Sequence, residues 1–226
     1  MIKKLRLTYL FSILLGFILI VFLFKSFLLN LNNSILYNQG DPALNLYFLK
    51  WGADYILGNV SGNSIFNLPV AYPFQNSLAM SDNLFGNQII FLPLYLIIDN
   101  PLLVFNIWII ITMIMNYLFM YIYFRQSKLI NSNFYLANIG ATIFTFSLPS
   151  FDLLGGHLQL LLLYFIPISL LLLEKAMTSL KIKYFIFFGL AVSFQFYLGI
   201  QTGFILLILL IFILPVYLYY LVRWQL

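Results

Sequence analysis

Six side chains in this chain carry atoms suited to moving a proton or gripping a polar substrate. They are Asp41, Tyr72, Asp82, Asp152, His157 and Gln159. All lie in polar stretches between apolar runs. A carboxylate near a bilayer surface can take a proton from an acceptor hydroxyl, and Asp41 is the candidate for that general-base role. Asp41 also precedes Pro42, the signature of a helix start, so N-capping accounts for it equally well. The two roles are compatible, because a cap uses one carboxylate oxygen. Asp82 stands in Ser81-Asp82-Asn83. It is either a cap for the helix that follows or a second acidic group for substrate or a divalent cation, which takes oxygen ligands. The spacing matches no metal motif, so the metal is unknown.

His157 is the only histidine and follows Gly155-Gly156. The glycines permit close approach of backbone or ligand. An imidazole there suits either a substrate phosphate or the orientation of Asp41. The plain alternative is a structural histidine. Asp152 precedes it by five residues in the same turn, as a substrate-binding candidate or a surface carboxylate. Tyr72 and Gln159 are supporting polar groups.

The elements that must position these groups follow from composition. The chain has 226 residues, 63% hydrophobic and only 8% charged. A soluble fold could not cover that much apolar surface with so few charges. Long unbroken apolar runs point to helices rather than a barrel. The fold class expected is all-α, a polytopic transmembrane bundle. The net charge of +5 is no nucleic-acid signal, because the basic residues flank the apolar runs, as the positive-inside bias predicts. The absence of cysteine excludes disulfides and thiolate metal sites.

Six spans are predicted, at about 7–29, 101–124, 134–148, 158–173, 184–199 and 203–222, with both termini cytoplasmic in a plasma membrane, in keeping with a bacterial composition. This topology puts five of the six acidic residues on the outer side with His157, and nine of the eleven Lys and Arg inside. Lys25 and Lys50 are the exceptions, both placed to snorkel at the outer interface. The outer loop, 30–100, holds an amphipathic juxtamembrane helix from Asp41 to about Leu57 and an apolar half-helix at 88–98. Asp99-Asn100-Pro101 repeats the cap-and-proline start. Span four is expected to return to a cytoplasmic Glu174-Lys175, and a tight turn is expected near Gly199 to Gly203. The chain ends directly after span six, as expected of part of a longer protein.

A basic N-terminus, a first span, a long outer loop with an early Asp, a Pro-bearing half-helix (Phe91-Leu92-Pro93-Leu94) and a span ending in Arg together resemble the N-terminal half of GT-C membrane glycosyltransferases. Tyr72-Pro73-Phe74 through Ser81-Asp82, and Gly-His-Leu-Gln at 156–159, look like bacterial members of that superfamily, which includes protein mannosyltransferases. The resemblance implies inverting transfer of a sugar from a polyprenyl-phosphate donor to a glycan or lipid acceptor at the outer face. Asp41 would be the general base, with Asp152 and His157 bordering the site. Two departures stand out: Asp41 is a single acid where many members have a pair, and the chain has fewer spans than the family usually has. A non-catalytic accessory protein of surface-glycan assembly and a transporter or flippase module stay open as alternatives. The near-absence of charge within the spans, and of any visible repeat, counts against transport.

Overall fold

A computed structural model of the chain describes residues 2–35, 40–60, 64–147 and 157–225. Every regular element among them is helical. In chain order these are α1 (Ile2–Leu23), α2 (Lys25–Leu28), α3 (Asp41–Ile56), α4 (Gln88–Tyr95), α5 (Pro101–Gln126), α6 (Phe134–Phe146), α7 (Phe165–Ser179), α8 (Ile182–Leu198) and α9 (Ile200–Gln225). Short 3-10 turns at Pro69–Ala71, Ser77–Met80, Phe85–Asn87 and Leu158–Leu161 fill the connections.

Three segments are long and apolar enough to cross a membrane: Pro101–Gln126, Leu158–Ser179 and Ile200–Tyr219. Shorter apolar helices lie at Leu7–Leu23, Phe134–Phe146 and Ile182–Leu198. The Leu158–Ser179 segment is 61% buried inside the protein and Ile200–Tyr219 only 22%. So α5 and α7 form the centre and α9 the periphery. α6 and α1 pack on α5, α7 lies along α8, and α9 packs beside α8. The main core joins Phe91 of α4, Val104, Phe105 and Trp108 of α5, Leu49 of α3 and the Leu158–Tyr164 stretch.

Helix ends inside such a bundle leave carbonyls that no water can satisfy. This chain meets them with Asn and Gln side chains. Asn116 donates to the Leu161 carbonyl at 2.7 Å and Gln195 to the Leu162 carbonyl at 2.5 Å, both at the turn before α7. Asn87 donates to the Leu198 carbonyl that ends α8, at 2.9 Å. Asn106 reaches the carbonyls of Leu31 and Ser34, where the chain leaves α2. Buried amides, in α5, in α8 and in the turn before α4, are therefore the fasteners that hold these irregular segments in place.

Several boundaries differ from expectation. The first helix ends at Leu23 and breaks at Phe24 before the four-residue α2, instead of running to residue 29. The segment from residue 158 starts as a 3-10 turn, and its helix continues to Ser179. Glu174, expected in a loop, is 3% exposed within α7. It accepts from the Ser127 hydroxyl at 2.6 Å and the Lys128 amide at 2.5 Å, so hydrogen bonds meet both oxygens of a buried carboxylate. The turn near 199–203 is Gly199 alone, in an extended conformation, with α9 beginning at the next residue. The Asn100 cap on α5 is as expected: its side chain accepts from the amides of Leu102 and Leu103.

Candidate functional site

The site gathers around the first turn of α3. Gly40 caps that helix with φ +85, a conformation that favours glycine. Its carbonyl accepts from the amides of Ala43 and Leu44 at 3.1 and 3.4 Å. The expected Asp41 cap is therefore not what the helix uses. The Asp41 carboxylate instead turns outward to His157, with Oδ2 and the imidazole Nδ1 2.9 Å apart. These residues stand 116 positions apart in sequence, so the contact exists only because α3 packs against the 3-10 turn that follows His157. The His157 side chain is 64% exposed and that of Asp41 40%.

A cavity of about 370 Å³ opens beside this pair. Its polar wall is Asp41, Asn45, Ser81, Asp82, Gln159 and Gln201, and its apolar wall is Leu44, Phe48, Met80 and Ile200. Asn45 lies one turn after Asp41 on α3, hence on the same face. It donates to Gln159 Oε1 at 3.1 Å and ties α3 to the turn after His157. Asp82 caps a helix, though not the one that follows it. Its Oδ1 accepts from the Ile200 amide at 2.6 Å, at the start of α9. A carboxylate at that helix N-terminus also meets the positive end of the helix dipole. Thr202, which donates to the Gly199 carbonyl and accepts from Gln195, secures the same break.

The structure thus brings together Asp41, His157, Asp82 and Gln159. Tyr72 is 88% exposed and outside the cavity wall. Asp152 lies outside the described residues. No group of three or more His, Asp or Glu side chains gathers among the described residues, and no Lys or Arg lines the cavity. Sequence reasoning missed Asn45 and Gln201. The i to i+4 spacing from Asp41 pointed to Asn45. For Gln201 the only sign was a polar residue in the first turn of an apolar run.

Lys50 does more than snorkel. It pairs with Asp54, one turn on, at 2.5 Å, and Asp54 also accepts from Tyr95 Oη at 3.0 Å and from Asn59 at 3.4 Å. The hydrogen bond to Asp54 raises the Lys50 pKa against the effect of its burial. Burial pushes Asp54 up, but hydrogen bonds from Lys50, Asn59 and Tyr95 outweigh it and hold the carboxyl below the ordinary range. Neither residue lines the cavity, so this cluster joins α3 to α4 and supplies no cation to the cavity wall.

Comparison with known proteins gives no match: no family model, curated protein or solved structure is similar to the chain at a significant level. The likeness to GT-C transferases therefore rests on layout and short motifs alone.

Proposed function

We propose that the chain is a membrane glycosyltransferase of GT-C type, or the part of one that carries the base, acting on a polyprenyl-phosphate-linked sugar. In this reading α1, α5, α6, α7, α8 and α9 are six spans, both termini are cytoplasmic, and the cavity opens at the outer leaflet of a plasma membrane. The observation that carries the reading is the Asp41–His157 contact of 2.9 Å at the rim of a polar cavity. Catalytic groups must converge on one reacting centre, and these two converge from distant parts of the chain.

The chemistry suits the groups present. A sugar on a lipid phosphate is already activated, so the protein has to orient it and accept one proton. Asp41 takes the proton of the acceptor hydroxyl. The acceptor oxygen bonds to the anomeric carbon as the bond from that carbon to the phosphate oxygen breaks, and polyprenyl phosphate leaves with the electron pair. His157 holds the Asp41 carboxylate by Oδ2. Among the described residues no donor meets Oδ1, so that oxygen remains for the proton. Asn45, Gln159 and Gln201 offer amide donors and acceptors matched to sugar hydroxyls. With two carboxylates and no Lys or Arg in the wall, the cavity favours the neutral part of the substrate, and the donor phosphate stays outside it.

The test reconstitutes the full chain in vesicles with labelled polyprenyl-phosphate hexoses. It follows release of polyprenyl phosphate and transfer of label to a lipid or glycan acceptor. Turnover by the wild type, lost in Asp41→Asn with insertion intact, is expected. Full activity in Asp41→Asn removes Asp41 as the base. No turnover of any donor by the wild type removes the transferase reading.

A further inference from the structure

From Tyr55 to Ser81 the chain carries no charged residue. Within that stretch the apolar side chains divide into two sets. Leu68 and Leu78 are 2% and 1% exposed and pack against Phe48 and Trp51 of α3. Val70, Tyr72, Phe74 and Met80 point the other way, at 62, 88, 77 and 92% exposed. Leaving such side chains in water costs about 25 cal/mol for each Å², and exposed apolar clusters on a folded protein mark a surface with an occupant.

The residues just after this segment fix its place in the bundle. Asp82 is bonded to the first amide of α9, at the mouth of a segment long and apolar enough to cross a membrane. Gly86 lies against the backbone of Tyr197 and Leu198 at the end of α8, where an added Cβ would come within 2.7 Å. Asp82 and Gly86 therefore sit at the facing ends of α8 and α9, and residues 70–80, just before them in the chain, stand at that end of the bundle. The next helix, α4, and the turn after it continue the apolar surface with Ile89, Leu96 and Ile97 exposed.

We propose that residues 70–80 are an interfacial anchor whose Tyr72, Phe74 and Met80 side chains insert into the lipid at the headgroup boundary. An aromatic, uncharged segment at that end of the bundle matches the preference of amphipathic rings for the membrane interface, and its lack of charge gives a soluble protein partner nothing to orient on. Met80 also lines the cavity, so the lipid-facing strip and the cavity wall meet at one side chain. The anchor holds whether or not the chain is a transferase.

The absence of cysteine makes the test direct. Tyr72→Cys, Phe74→Cys and Met80→Cys each give a single nitroxide site, and Phe212→Cys on α9, 71% exposed, gives a lipid-facing reference. The full chain is reconstituted in phosphatidylcholine vesicles. Collision of each label with oxygen, which partitions into lipid, is compared with collision with a water-soluble nickel chelate. Oxygen access exceeding nickel access at positions 72, 74 and 80, as at 212, is the expected result. Nickel access exceeding oxygen access at any of the three puts the loop in water and overturns the proposal. Loss of access to both reagents means a protein surface covers the loop, and also overturns it. Because the substituted side chains are exposed, their replacement removes no core packing, and a monodisperse elution profile confirms the fold of each variant.

Discussion

Two carboxylates at opposite ends of the bundle are handled in opposite ways. Glu174 is 3% exposed, and its two oxygens separately accept from the Ser127 hydroxyl and the Lys128 amide. Asp41 stands at the rim of a cavity, 40% exposed at its side chain, with His157 on one oxygen. A buried, satisfied carboxylate specifies structure, because removing it strands its donors. An exposed one, engaged at one oxygen among the described residues, adds little to stability and in the proposed reading offers the other for chemistry. Hydrogen-bond satisfaction, more than the presence of charge, separates the structural acid from the candidate base.

The contrast breaks most sharply on activity. Asp41→Asn keeps the size and loses the basicity, so transfer should fall by about 10²–10⁴-fold, the usual weight of a general base. Its unfolding temperature in detergent should stay near the wild type's, because a contact this exposed adds little to stability. Glu174→Ala should do the reverse: about 1–3 kcal/mol of stability lost as the buried Ser127 hydroxyl and the part-buried Lys128 amide lose their acceptor, read as a lower unfolding temperature, with turnover per folded molecule kept. A variant of Asp41 that unfolds early, paired with a stable but inactive Glu174 variant, would reverse the assignment.

Asp82 falls between these two acids and sharpens the comparison. It lines the cavity, yet one oxygen caps α9. Asp82→Ala should cost about 0.5–2 kcal/mol, the range for losing a cap, while Asp82→Asn keeps an acceptor and should recover most of it. If Asp82→Asn is as stable as wild type but loses transfer, the charge serves the substrate. If stability and activity fall together only in the alanine variant, Asp82 is a cap that happens to border the cavity.

The helical class and most helix positions were legible because apolar runs and Asn-Pro or Asp-Pro starts act locally. The Asn100 cap is the clearest case. What the sequence hid is set by contacts between distant segments. Asp82 looks like a cap for the helix beside it and instead caps one 118 residues away. Asp41 has a cap's sequence, but Gly40 in a left-handed conformation does the capping and leaves the carboxylate to face His157. Glu174-Lys175 looked like the end of a span because charge usually marks the boundary. The Ser127 hydroxyl and Lys128 amide meet the acid, so the helix runs on to Ser179. Pairing at i and i+4 was the one signal in reach and unused, for both Asn45 and the Lys50–Asp54 pair.

That pair supplies the smallest and most pH-specific effect. The folded Asp54 pKa is depressed below its ordinary 3.8. Its contribution is therefore present above about pH 3.8 and lost as pH falls through the lower folded value. The folded Lys50 pKa is raised above 10.5, so its contribution is present below about pH 10.5 and lost as pH rises through the higher folded value. Between those limits the pair should contribute a constant amount, under about 1 kcal/mol because Lys50 is 41% exposed at its side chain and solvent screens it. Lys50→Met should lower the unfolding temperature by the same small step from pH 5 to pH 9. The step should shrink as pH falls below 3.8 toward the depressed folded value of Asp54, and again as pH rises above 10.5 toward the raised folded value of Lys50. A step that varies across the neutral range would mean that another group titrates against Lys50. Transfer by Lys50→Met should stay at the wild-type level, because neither Lys50 nor Asp54 lines the cavity.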